Sequence, residues 1–135
     1  MAGMGAFIIQ KAAQYGVPVS VAMGMFKQES SFNTPAGGTK NNFGGLKGSG
    51  GTGDFADFPD VQSGIDAVIK NMGTNPVYQG ENLGEFVNTY LGGPAGGDPD
   101  AYLKNVIATI RSLGGNADRN SVPVGKPGAD RKSVV

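Results

Sequence analysis

The chain of 135 residues contains neither cysteine nor histidine. Without cysteine there is no disulfide and no thiolate nucleophile, and without histidine there is no Ser-His catalytic pair. Because Cys and His are also the main ligands of transition metals, nearly all such metal sites are excluded as well. Carboxylates are therefore the leading candidates for proton transfer, with lysine and tyrosine behind them. We expect neither a metal nor a cofactor.

The chain also lacks net charge and long apolar runs. Eleven basic and eleven acidic residues cancel, so no overall field attracts nucleic acid or an anionic membrane. The first residues, MAGMGAFIIQK, have no basic region and only a short apolar run from Phe7 to Ile9, which is too short for a signal peptide or a membrane span. We expect no nucleic-acid partner and no insertion into a membrane.

Glycine is abundant instead, with 24 residues, more than double the share expected from an average of about 7%. Many of these glycines lie between Phe32 and Pro59, where they are too frequent for a regular helix and β-branched residues are too few for a sheet. We expect a long structured loop here or a short β-hairpin around Leu46 to Phe58. Loops of this length in a compact domain are functional or disordered, and apolar residues such as Phe43 and Phe55, which could anchor the loop, favour a functional one.

Apolar periodicity outside this loop predicts a mainly α fold. Two local signals are specific: Gly16 follows the first helix as its C-terminal cap, and Asn82 with Glu85 forms a capping box. The five predicted helices span residues 5–15, Val19 to Ser30, Val61 to Gly73, Leu83 to Tyr90, and Pro99 to the residues before Gly114.

The chain length and the end of this periodicity predict one domain over residues 1–115. Residues 116–135 are polar, contain two prolines and show no amphipathic stripe. Such a composition is typical of a flexible C-terminal tail or a linker.

Glu29 is the residue of greatest chemical interest. It follows Met25 by four residues and Phe26 by three, so it extends the apolar stripe of the second helix, whereas Lys27 marks the polar face. Burial and the negative end of the helix dipole both raise the pKa of a carboxyl group, which favours a proton donor. The alternative is that Glu29 lies in the last turn, points into solvent and has no chemical role.

The segment YGVPVSVAMGMFKQESSF, Tyr15 to Phe32, resembles the catalytic helix of the lytic transglycosylases, which ends in Glu-Ser followed by Phe. Three later segments are similar to this family or to other cell-wall hydrolases: NNFGGLKG, FADFPDVQSGIDAVIKNM and TYLGG. Two positions depart from the family pattern, since Lys47 replaces a usual methionine and Leu91 replaces an asparagine. The resemblance spans residues 6–113 in motif order.

The resemblance implies a lysozyme-like helical domain that acts on peptidoglycan glycan strands. Glu29 would protonate the bond between N-acetylmuramic acid and N-acetylglucosamine and then take a proton from the muramyl C6 hydroxyl, which gives a 1,6-anhydro sugar. Tyr90 would form a hydrogen bond towards Glu29, and Ser30 would orient the acid or the substrate. The residues implied to bind substrate are Ser30, Asn42, Phe43, Gly45, Leu46, Lys47 and Tyr90, with Gly44 in the same segment.

Two other functions stay open. A muramidase or glucosaminidase would use Glu29 together with Asp54, Asp57 or Asp60, since a hydrolase needs a second carboxylate about 5–9.5 Å away. A non-catalytic glycan-binding or virion module would keep the fold without the chemistry.

We expect action in the periplasm or cell wall. Because no signal peptide is evident, the chain would be a phage virion component, a holin-released endolysin or an excised domain. Its tail would be the contact for other virion or cell-wall proteins.

Overall fold

A computed structural model of the protein describes residues 3–30, 41, 44, 58–91, 99–125 and 132–133. Within these residues the protein is mainly α-helical, as the sequence predicts. The helices are α1 (Gly5–Tyr15), α2 (Val19–Ser30), α3 (Val61–Thr74), α4 (Leu83–Tyr90) and α5 (Pro99–Ser112), with a 3₁₀ turn at Pro76–Tyr78. Two short strands, β1 (Ser121–Val122) and β2 (Lys132–Ser133), pair in parallel.

The local capping signals are confirmed. Gly16 ends α1 in the left-handed conformation with φ of 73°, which favours glycine. At the start of α4, the Glu85 backbone N–H donates to Asn82 Oδ1 over 2.8 Å, and the Asn82 backbone N–H donates to Glu85 Oε1 over 2.9 Å. These bonds satisfy backbone N–H groups at the start of the helix, which have no acceptor in a preceding turn. Because both partners lie within three residues of each other, the bonds can be predicted from the local sequence.

The third helix was predicted to end at Gly73, one residue too early, since α3 continues to Thr74. Gly73 serves the packing of α3 on α1: a Cβ there would lie 2.1 Å from the Tyr15 carbonyl oxygen. The absent side chain allows the two helices to approach closely, and it does not stop the helix.

The core lies between the helices, where α2 packs on α5 and α1 packs on α3. Close approach of α2 and α5 occurs at Gly24, where a Cβ would lie 3.3 Å from Val106 Cγ1. Full burial of a large apolar side chain contributes about 1.5–3 kcal/mol. The largest fully buried side chains are Phe26, Phe86, Met25, Ile65, Ile69, Met72, Leu83 and Ile110. No helix in the described ranges is both long enough and apolar enough to cross a bilayer.

The C-terminal segment differs from the flexible tail expected after residue 115. Ala117, Val122 and Val124 are all buried, and the Gly80 backbone N–H donates to the Val124 carbonyl over 2.9 Å. Residues 116–125 are therefore part of the folded domain. The expectation was wrong for this stretch because backbone hydrogen bonds and scattered apolar residues hold it, neither of which produces helical periodicity. Residues 126–131 and 134–135 lie outside the described part.

Candidate functional site

Glu29 lies in the last turn of α2 and continues a fully buried stripe. Ala22, Met25 and Phe26 are each 0% exposed, and Glu29 itself is partly buried. Its position on the apolar side of the helix agrees with the prediction from spacing. The carboxyl group therefore lies at the edge of the core, where a neighbouring dipole or charge acts more strongly on it than in bulk water.

Tyr102 on α5 donates a hydrogen bond to this carboxyl group. Its hydroxyl donates to Glu29 Oε1 over 2.7 Å, and the whole residue is only 8% exposed. The sequence analysis did not select Tyr102. A signal for it was present, since Tyr102 precedes Val106 by four residues and Ile110 by eight, which places it on the buried stripe of α5.

Tyr90 at the end of α4 has a different partner from the one that the resemblance implies. Its hydroxyl donates to the Gly44 carbonyl oxygen, so its single proton is used there, and Tyr102 is the tyrosine that donates to Glu29. Tyr90 also lies near the acid: burial raises the pKa of Tyr90 most, and the negative charge of Glu29 raises it further.

Gly44 brings the glycine-rich segment to this site. A Cβ on Gly44 would lie 2.6 and 2.7 Å from the two methyl carbons of Val68 and 2.8 Å from the Tyr90 hydroxyl oxygen. These contacts are too short for any side chain larger than hydrogen, so the backbone lies directly on α3 and α4.

Asn41 holds the start of the same segment. It has a φ of 58°, a left-handed conformation that asparagine tolerates better than most residues, and its Nδ2 donates to the Phe58 carbonyl over 3.0 Å.

The remaining predicted substrate contacts lie outside the described residues: Asn42, Phe43, Gly45, Leu46 and Lys47, as do the loop or hairpin predicted around them and the acids Asp54 and Asp57. Ser30 is the last residue of α2, and the predicted role of its side chain also lies outside the described part.

Asp60, the third acid considered for a hydrolase, is the N-cap of α3. Its Oδ1 accepts from the Ser63 backbone N–H over 2.6 Å, and hydrogen bonding from the Ser63 backbone and side chain lowers the pKa of Asp60. An exposed carboxylate that is held ionised by a helix N-terminus is explained by capping alone.

Tyr78, Tyr90 and Tyr102 form a tyrosine cluster, of which Tyr90 and Tyr102 lie near Glu29. Burial raises the pKa of Tyr78 to about 12. Burial comes first for Tyr90 and Tyr102 as well, and the charge of Glu29 raises the pKa of both further. The rings also pack together, with centroids 6.3 Å apart for Tyr78 and Tyr90. Each hydroxyl in the cluster therefore stays protonated at neutral pH and can act as a donor.

These shifts predict a loss of stability at alkaline pH. The chain has four tyrosines, and the pKa of Tyr15 is raised too, first by its hydrogen bond to Asp66. Unfolded tyrosines release their protons near the ordinary pKa of 10.0 while the folded ones keep them, so the unfolded state binds fewer protons above that pH. The contribution of the tyrosines to the free energy of unfolding is therefore constant below about pH 10 and decreases above it.

Absorbance at 295 nm measures the ionisation of the tyrosines, and urea unfolding between pH 8 and 12 measures the free energy of unfolding. We expect Tyr78, Tyr90 and Tyr102 not to ionise near pH 10 while the protein is folded, whereas all four tyrosines do so in guanidinium chloride. A native titration that matches the denatured one would contradict the burial of the cluster.

No family model, no curated protein and no solved structure matches the chain. The candidate site is a partly buried carboxyl group that accepts a hydrogen bond from one tyrosine hydroxyl and lies near a second, an arrangement suited to transferring a proton.

Proposed function

We propose that the chain is a peptidoglycan lytic transglycosylase with a lysozyme-like helical fold, in which Glu29 is both acid and base. The observation that carries the proposal is the hydrogen bond from Tyr102 to Glu29 at the end of a buried helical stripe. The resemblance of the segment from Tyr15 to Phe32 to a transglycosylase catalytic helix supports the same assignment.

The proposed reaction transfers two protons through one carboxyl group. Glu29 gives its proton to the glycosidic oxygen between N-acetylmuramic acid and N-acetylglucosamine, and the bond from that oxygen to the muramyl anomeric carbon breaks. The muramyl C6 oxygen bonds to the same carbon, and Glu29 takes the C6 hydroxyl proton. No water molecule is consumed, and the products are a 1,6-anhydro sugar and a free N-acetylglucosamine hydroxyl.

Tyr102 has a defined part in this cycle. Between the two transfers Glu29 is an anion at the edge of the core, where an unpaired charge is costly. The Tyr102 hydroxyl donates to that anion, and hydrogen bonds to an ionised group are shorter and roughly twice as strong as neutral ones. Because its raised pKa keeps Tyr102 protonated, the donor is present throughout the cycle and also holds the carboxyl group in one orientation.

The substrate side of the proposal rests on the segment that includes Gly44. Its contact with Tyr90 places the Gly44 backbone in the neighbourhood of Glu29. Asn42, Phe43, Gly45, Leu46 and Lys47 are proposed to bind the sugar rings and their N-acetyl groups, and Ser30 to orient the acid. The proposed place of action is the periplasm or cell wall, reached as a virion component, as an endolysin or as part of a longer protein.

Mass spectrometry of the fragments released from purified peptidoglycan tests the proposal. We expect anhydro-muropeptides, which are one water lighter than the products of hydrolysis. Ordinary reducing ends would replace the transglycosylase with a muramidase or glucosaminidase that pairs Glu29 with Asp54, Asp57 or Asp60. Binding to sacculi without any released fragment would show a glycan-binding or virion module instead.

A further inference from the structure

A groove runs along the side of α5 that lies opposite to Tyr102. Its volume is about 620 Å³, within the range of roughly 300–1,000 Å³ that is usual for ligand sites. Arg111 follows Tyr102 by nine residues, about two and a half turns, so the two side chains leave the helix on opposite sides. The groove is therefore on the other side of α5 from the hydroxyl that bonds to Glu29. Its apolar and basic lining consists of Leu103, Ile107, Ala108, Lys104, Arg111 and Arg119.

The groove is as long as a short peptide. Its lining residues on α5 extend from Asp100 to Arg111, a separation that rises about 16 Å along the axis at roughly 1.5 Å per residue. An extended chain rises about 3.3 Å per residue, so roughly five residues span the same length. A compact ligand would occupy only one part of the groove, whereas an extended segment can contact all of it.

The second wall of the groove is the chain at Asp118 and Arg119, which the fold holds in place. Arg111 Nε donates to the Ala117 carbonyl over 3.1 Å, and the Asp118 backbone N–H donates to Ser121 Oγ over 3.0 Å. Ala117 and Ser121 are both fully buried. Because this wall is part of the folded domain, the groove is present before a ligand binds, and binding does not have to order it.

The two acids that line the groove already have partners. Asp100 Oδ1 lies 3.2 Å from Arg119 Nη2 in an ion pair, and Asp118 Oδ1 accepts from the Asn120 backbone N–H over 2.8 Å. These contacts engage the negative charge of the groove and also one of its three basic side chains.

The other two basic side chains keep their charge available. Among the residues that the structure describes, the Lys104 side chain has no ion pair or hydrogen bond, and Arg111 uses only its Nε, in the bond to Ala117. The two terminal nitrogens of the Arg111 guanidinium can therefore bind a carboxylate in a bidentate manner. Lys104, Ile107 and Arg111 follow one another at intervals of three and four residues, so they lie in one line along the groove. The order of this line is cation, apolar side chain, cation.

The complement of this line is an acidic, an apolar and a second acidic side chain on one face of an extended chain. Alternate residues of such a chain share a face, so positions i, i+2 and i+4 would meet Lys104, Ile107 and Arg111 in turn. The outer two positions are about 13 Å apart, against about 10 Å for seven residues of α5, a difference that the flexible lysine side chain covers. We infer that the groove of α5 binds an extended acidic segment of a partner protein. The inference does not involve Glu29 and goes beyond the proposed function.

NMR titration of the full chain tests the inference with a peptide of this design. The probe is acetylated and amidated Glu-Thr-Leu-Thr-Glu, whose blocked ends carry no charge and whose threonines favour an extended backbone. We expect the methyl signals of Leu103 and Ile107 and the Nε–H signal of Arg111 to shift. The control peptides Gln-Thr-Leu-Thr-Gln and Lys-Thr-Leu-Thr-Lys should leave these signals unchanged. Glu-Thr-Ser-Thr-Glu, which lacks the apolar side chain, should bind about tenfold more weakly.

Lys104→Gln measures the contribution of the groove. Lys104 is exposed, and within the described residues its side chain has no partner whose loss would affect the fold. We expect the substitution to weaken binding of the acidic peptide by about tenfold, the loss of one hydrogen bond between charged groups. Lys70→Gln is the matched control, since Lys70 is exposed on α3 and lies outside the groove. Its dissociation constant for the peptide should equal that of the wild type.

The possible outcomes separate this inference from the proposed function. Peptide binding that Lys104→Gln weakens and Lys70→Gln does not would support the acidic segment, whether or not the protein releases fragments from peptidoglycan. Equal shifts with the glutamate and lysine peptides, an equal loss of affinity in the two variants, or no shift with any peptide would overturn it. Groove signals that shift with protein concentration alone would assign the groove to a second copy of this chain and would overturn it as well.

Discussion

Replacing Glu29 with glutamine is expected to lower the rate of fragment release from peptidoglycan by about 10²–10⁴-fold, the usual contribution of a general acid or base. Glutamine has nearly the same shape as glutamate and its amide oxygen can still accept from Tyr102, so the helix packing stays in place. It cannot carry the transferred proton, and the reaction loses both of its proton transfers at once.

The measurement is the initial rate of soluble muropeptide release, followed by chromatography, for the wild type and for Glu29→Gln. Glu85→Gln is the matched control, because Glu85 is an exposed residue of α4 whose role in the capping box glutamine can also fill. Equal rates for Glu29→Gln and the wild type, with both proteins folded, would remove Glu29 from the mechanism.

The second large effect is expected at Gly64, the fourth residue of α3, which is buried. A Cβ there would lie 1.9 Å from the Asn41 carbonyl oxygen and 3.0 Å from its carbonyl carbon. Since the atoms in the way are backbone, a change of rotamer cannot relieve the clash. We expect Gly64→Ala to lower the free energy of unfolding by about 1–3 kcal/mol, the typical cost of overpacking. It should also displace Asn41, which begins the segment leading to Gly44, and so reduce fragment release.

Urea unfolding measures the stability change, with Gly5→Ala as the matched control. Gly5 is helical too, yet a Cβ there would meet no atom within 4 Å, so its replacement should leave stability unchanged or raise it by up to about 1 kcal/mol. If both variants unfold at the same urea concentration, the close contact between α3 and Asn41 does not exist in solution.

The helices could be predicted because their signals are local. Gly16, Asn82 and Glu85 act on backbone groups within four residues of themselves, and apolar spacing marks the buried face of each helix. The same reasoning was wrong at Gly73, where the close approach of α1 decides the role of the glycine. It was also wrong for residues 116–125, whose burial depends on contacts with the chain around Gly80 and α4.

The candidate site also has one feature that the sequence predicted and others that it did not. The sequence by itself placed Glu29 at the end of an apolar stripe, because helical spacing determines which side chains share a face. Only the tertiary structure decided its partner: Tyr102 is 73 residues away, and Tyr90 bonds to Gly44 at a separation of 46 residues. No local periodicity specifies contacts across such distances. They arise when α5 packs on α2 and on α4 and the backbone at Gly44 meets Tyr90, and this packing selects which tyrosine hydroxyl reaches the carboxyl group.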